Sequence, residues 1–189
     1  MAARPRRRVS PAEQREQRAD VDDPAVVLEA AARFLEARSR SVTEVRRRLT
    51  RAGYRPELVE GAIERLTELG ILDDEAFGRA WVESRDRARP RGEIALRREL
   101  TLKGVARTTV DELLEERRDA ADPEAGSTDL VAARRLLAKG ARALERVSDP
   151  RQRRQRAYAL LARNGFDPET CREAAREMMT AESDDDTAD

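Results

Sequence analysis

The chain has 189 residues, of which 40% are charged and 3% aromatic, and its 38 basic and 38 acidic side chains cancel to a formal charge of zero. That composition excludes one large aromatic-rich core and favours small helical cores stacked in series, while the neutral total points to no partner unless charge is segregated along the chain. There is no histidine, which excludes imidazole acid/base catalysis, Ser-His triads and His-based zinc sites, and the single cysteine allows no internal disulfide.

Residues 1–23 are polar and charged with almost no apolar period, and are expected to form a disordered tail of mixed charge. Pro24 opens a first unit, 24–70. Its first helix carries Val27, Leu28, Ala31, Phe34 and Leu35, and its second starts at a Ser41/Glu44 capping box and runs through Val45 and Leu49 to Gly53. Its third starts at Pro56, carries Val59, Ile63, Leu66 and Leu69, and stops at Gly70. A second unit, 71–118, repeats the plan: Asp73 or Asp74 caps a helix with Phe77, Trp81 and Val82, Leu96 and Leu100 lead to Gly104, and Val110, Leu113 and Leu114 mark the third helix. A linker, 119–127, holds Asp122, Pro123 and Gly126. The third unit, 128–181, places one helix over Leu130 to Leu144, a second from Pro150 through Ala157 and Leu161 to Gly165, and a third from Pro168 with Cys171, Ala175 and Met178. An acidic tail, 182–189, is expected to be disordered.

The three units share a signature. Leu49, Gly53, Tyr54 and Val59 recur as Leu100, Gly104, Val105 and Val110, and as Leu161, Gly165, Phe166 and Cys171. The fold expected is all-α: three tandem three-helix repeats forming an elongated, curved, solenoid-like chain in which each glycine is a left-handed helix cap. Cys171 takes the repeat position of Val59 and Val110 and reads as a core thiol, not a nucleophile. Asp73, Asp74 and Glu75 read as a helix cap and not a cation site, and Trp81 as packed beside Phe77 and not stacked on a base.

Charge is segregated by helix. Arg33 to Arg55 holds eight arginines and Glu57 to Glu75 seven acids; Arg85 to Arg107 holds eight basic residues and Asp111 to Asp129 eight acids; Arg134 to Arg163 holds ten basic residues. On a helical projection Val45 and Leu49 face inward, Arg47 and Arg51 outward, with Arg46 and Arg48 flanking. Arg97 and Arg98 take the same places in the second unit, joined by Arg85, Arg91 and Lys103, and Arg153, Arg154 and Arg156 occupy the third. Regular stacking would join them in one basic track suited to phosphates or an acidic protein surface. No residue is expected to be catalytic or to bind a metal, and no cofactor is implied.

The run Leu69-Gly70-Ile71-Leu72-Asp73-Asp74-Glu75-Ala76-Phe77, followed by Trp81, Arg85, Gly92, Leu96, Glu99-Leu100 and Lys103-Gly104-Val105, resembles the central signature of the RecX family of recombination regulators. The first unit is similar in Ser41, Glu44, Leu49, Gly53, Tyr54, Val59 and the Arg65 to Gly70 segment, and the resemblance extends over about Val26 to Met179. It implies a non-enzymatic, cytoplasmic, monomeric regulator that binds the RecA recombinase filament. Such a protein mainly inhibits RecA's ATPase, strand-exchange and co-protease activities in homologous recombination and the SOS response, with single-stranded or duplex DNA as a further partner and no membrane. A helix-turn-helix reader of duplex DNA is the alternative, since it too uses short helices joined by glycine turns.

Overall fold

The computed structural model describes the backbone of residues 10–185 and the side chains of residues 10–180. The described residues form ten α-helices: α1 (Pro11–Ala19), α2 (Pro24–Glu36), α3 (Val42–Ala52), α4 (Pro56–Glu68), α5 (Asp74–Ala88), α6 (Glu93–Lys103), α7 (Arg107–Asp119), α8 (Thr128–Glu145), α9 (Pro150–Arg163) and α10 (Pro168–Asp185). They group into two compact units. One takes the chain up to Phe77 together with Lys103–Val105, the other Gly78–Leu102 with Ala106 onward.

In the first unit α2, α3 and α4 enclose Val27, Ala31, Val45, Leu49, Val59, Ile63, Leu66 and Leu72. These are the positions that the 3.6-residue period marks, except that Leu69 is exposed where α4 has already ended. The Ser41/Glu44 capping box forms as expected: Glu44 N–H donates to Ser41 Oγ and Ser41 N–H to the Glu44 carboxylate, while Gly53 takes φ 104° at the other end of α3. In the second unit Val82, Leu96, Leu100, Val110, Leu113 and Leu114 are buried. A Cβ at Gly78, inside α5, would stand 2.5 Å from Leu113 Cδ1, so glycine there lets α5 lie close to α7 without moving the Leu113 side chain. Farther along, α8, α9 and α10 close over Leu130, Ala133, Leu137, Ala157, Leu161, Phe166 and Cys171. The Cys171 thiol is fully buried, and burial raises its pKa, so it stays an unreactive core group.

Both expected tails contain helix. Within the segment 1–23, Ser10 and Glu13 form a capping box and Pro11–Ala19 is α1, a helix with no buried residue. It is held by guanidinium groups: Arg15 Nε donates to the Arg51 carbonyl at 3.1 Å and Arg18 to the Ala52 carbonyl at 3.3 Å. These carbonyls end α3 and have no partner within the helix, so α1 satisfies acceptors rather than filling a core. At the other end α10 runs to Asp185, into the segment read as an acidic tail; residues 1–9 and 186–189 lie outside the described residues.

Candidate interaction surfaces and the junctions that position them

The repeats are joined by one arrangement used twice. Within the first unit, Asp74 at the start of α5 accepts from Val42 N–H, the first amide of α3, at 2.9 Å. Ser41 Oγ donates to the Lys103 carbonyl at 2.6 Å, so the C-terminal end of α6 sits on the N-terminal end of α3, and Lys103 Nζ reaches Glu44 at 2.7 Å. Within the second unit, Asp129 at the start of α8 accepts from Glu93 N–H, the first amide of α6, at 3.0 Å, and Gly92 N–H donates to the Asn164 carbonyl at 3.1 Å where α9 ends.

In each case an aspartate of the next repeat's first helix meets the positive end of a middle helix, and the next middle helix offers its carbonyl end. The glycines make this approach possible. A Cβ on Gly104 would stand 2.1 Å from Thr43 Oγ1, and one on Gly165 2.5 Å from Ala95 N; both residues also have positive φ, 83° and 80°. Asp73, by contrast, accepts from Glu75 and Ala76 N–H and is the cap of α5.

The junction in the second unit has a buried ionic centre. Arg117, 5% exposed, donates Nε and Nη2 to Asp86 at 2.9 Å each and Nη1 to Asp129 at 2.6 Å. Burial raises the Asp129 pKa against the opposing pull of the Glu93 amide and Arg117, and burial likewise raises that of Asp74.

Basic residues of the middle helices divide into two kinds. Arg46 of α3 makes a bidentate pair with Glu60 of α4, both contacts 2.7 Å, and Arg97 of α6 pairs with Asp111 of α7 and with Glu93. Arg85 and Arg91 converge on Glu99, which also accepts from Trp81 Nε1 at 2.8 Å; Arg85 lies 4.2 Å from the Trp81 ring centroid. Trp81 is thus half-buried and engaged on both its polar edge and its face. Lys103 is held by Glu44, and Arg153 Nε donates to the Val147 carbonyl. Half of the supposed track is therefore engaged within the protein, Arg46 and Arg97 by acids of the third helices and the other four by Glu99, Glu44 and a main-chain carbonyl.

The other six are turned to solvent. Arg47, Arg48 and Arg51 line the outer side of α3, Arg98 that of α6, and Arg154 and Arg156 that of α9, all exposed. Arg48 rests 5.7 Å from the Phe34 ring centroid; among the described residues none of the six makes an ion pair. Beside Arg98, Ile94 and Leu102 are exposed one turn before and one turn after.

Sequence patterns for the first, second and third three-helix domains of RecX match residues 28–66, 73–114 and 127–175. The chain belongs to the RecX family. Curated relatives named Regulatory protein RecX include that of Pelodictyon phaeoclathratiforme, 34% identical over 82% of this chain and 91% of the relative. That of Deinococcus radiodurans is 35% identical over 93% of this chain and 74% of its own length. A crystal structure of RecX from Lactobacillus salivarius superposes with a TM-score of 0.68 at 18% identity, covering 82% of this chain and 96% of that one, which shows the RecX fold of three three-helix repeats. Among the described residues no helix is long and apolar enough to cross a membrane.

The residues that sequence reasoning missed are those of the RecX repeat junctions: Asp74 as an acceptor for α3, Asp129, and Arg117 with Asp86. Asp74 stands 30 residues before its repeat's glycine and Asp129 36 before its own, so no fixed period relates them.

Proposed function

We propose that this protein binds the RecA recombinase filament and modulates it, mainly by inhibiting its ATPase, strand-exchange and co-protease activities in homologous recombination and SOS repair. The observation that carries the reading is that RecX domains follow one another over all three repeats. It is supported by the exposed arginines on each middle helix, which offer charge to an acidic protein surface or to DNA and have no internal acid to satisfy them. The protein acts as a monomer in the cytoplasm without a cofactor, by binding rather than by bond chemistry.

The test is ATP turnover by RecA on single-stranded DNA with the protein added at or below one per recombinase. Turnover and filament length are expected to fall, and unchanged turnover, strand exchange and length would sink the assignment. Reversing Arg47, Arg51 and Arg98 to Glu is expected to weaken the effect and reduce its salt dependence while leaving helix content intact, because all three are exposed and outside ion pairs. Arg46 and Arg97 are unsuited to that test, since their reversal sets like charges against Glu60 and Asp111.

A further inference from the structure

The third repeat departs from the first two where they neutralise themselves. Seven residues before the signature glycine stand Arg46 and Arg97, and seven after it Glu60 and Asp111, the two pairs described above; in the third repeat these positions hold Tyr158 and Arg172. The internal acid is replaced by a cation, and the arginine it would have paired with by a tyrosine. Between α9 and α10 there is an open groove of about 720 Å³, with Arg151 and Arg154 on the α9 wall, Arg172 and Arg176 on the α10 wall, and Tyr158 half-buried beside them. Among the described residues none of the four arginines makes an ion pair. Glu169 and Glu173 also line the α10 wall, leaving an excess of two positive charges.

The groove lies where a following repeat would dock. Val42 and Glu93, whose amides receive Asp74 and Asp129, both stand eleven residues before the glycine, and the residue at that position in the third repeat is Arg154. There α9 begins four residues earlier, at Pro150, so the Arg154 amide lies inside the helix and the available donors are guanidinium groups.

We propose that the α9–α10 groove binds an acidic polypeptide segment, whose carboxylates take the place that Asp74 and Asp129 fill at the two interior junctions. The occupants of both equivalent faces in this molecule are carboxylates. Glu169 and Glu173 interrupt the cationic wall, which suits spaced carboxylates better than an unbroken row of phosphates. A second copy of the chain does not fit: the surface around Gly53, which would have to seat there, carries Arg15, Arg18, Arg51 and Arg55 and is already covered by α1.

The experiment uses the full chain without RecA, so that its outcome is independent of the recombinase assay. Binding of a fluorescein-labelled peptide of alternating Asp and Ser is followed by anisotropy, with a dT oligonucleotide of matched charge as the second probe. Saturable peptide binding is expected, weakened about tenfold or more by Arg154→Glu with Arg172→Glu and unaffected by Arg135→Glu with Arg142→Glu, two exposed arginines of α8 outside the groove. Should the double reversal melt early, Arg154→Gln with Arg172→Gln is expected to give a smaller loss in the same direction. Absence of saturable peptide binding, or equal losses from the two reversal sets, overturns the proposal. So does an oligonucleotide that binds more tightly than the peptide and responds to the same groove variants.

Discussion

Single residues matter most here where a side chain has no room. Gly165 combines φ 80° with a backbone contact, since an added Cβ would stand 2.5 Å from Ala95 N and 2.4 Å from Ala95 Cβ. Both costs fall on main chain, which cannot rotate away, so Gly165→Ala is expected to lose roughly 2 kcal/mol or more of stability, read as a drop in the denaturant midpoint. Gly61, exposed in α4 with nothing within 4 Å of its Cβ position, is the contrast: alanine there is expected to raise the midpoint by up to about 1 kcal/mol. The left-handed glycines were legible in sequence because each follows an apolar helical stripe and precedes an apolar residue. Their second role, letting one repeat touch the next, was not, because the neighbour lies about sixty to seventy residues away in the chain.

At the level of elements, packing periods and caps revealed the nine helices of the repeats, and the acidic blocks of the third helices were visible in sequence, but which residues pair between helices was not. Arg46 and Arg97 each reach an acid fourteen residues on, across a turn, and no helical projection puts those residues side by side. Helix α1 escaped for a different reason. A stripe of apolar residues is what betrays a helix, and α1 buries nothing; its Ser10-Pro11 start and Glu13 were the available signal. The α7–α8 contact rests on Arg117, and replacing it with Ala leaves Asp129 and Asp86 without their cation. A loss of about 3 to 5 kcal/mol is expected. If the loss comes from stranded charge, adding Asp129→Asn to that variant restores part of it; a double variant no more stable than the single one would place the cost in lost packing instead.

For the molecule as a whole, pH acts through opposing sets of carboxylates. The Arg46 and Arg134 guanidiniums hold Glu60 and Glu177 below the ordinary value, and Lys103 with the Ser41 amide does so for Glu44 against its burial. A depressed carboxylate contributes stability that is present above its unfolded value, about 4.5, and lost as pH falls through the folded one. Asp74 and Asp129, raised by burial, act the other way: stability falls as pH rises from the unfolded value near 3.8 through the folded one. Melting temperature is therefore expected to decline on acidification below pH 4.5, and Glu44→Gln with Glu177→Gln to flatten that decline while lowering the plateau at neutral pH. An undiminished acid slope in that variant would assign the loss to other groups.

The junction between repeats has a consequence for how the sequence can drift. Asp74 and Asp129 meet main-chain amides, and Ser41 Oγ and Gly92 N–H meet main-chain carbonyls, so each of these seam hydrogen bonds has at least one main-chain partner. Main-chain groups are the same in every sequence, so the surface can change its charges freely while the stacking grammar stays fixed. New binding faces can thus be written onto an old scaffold one helix at a time.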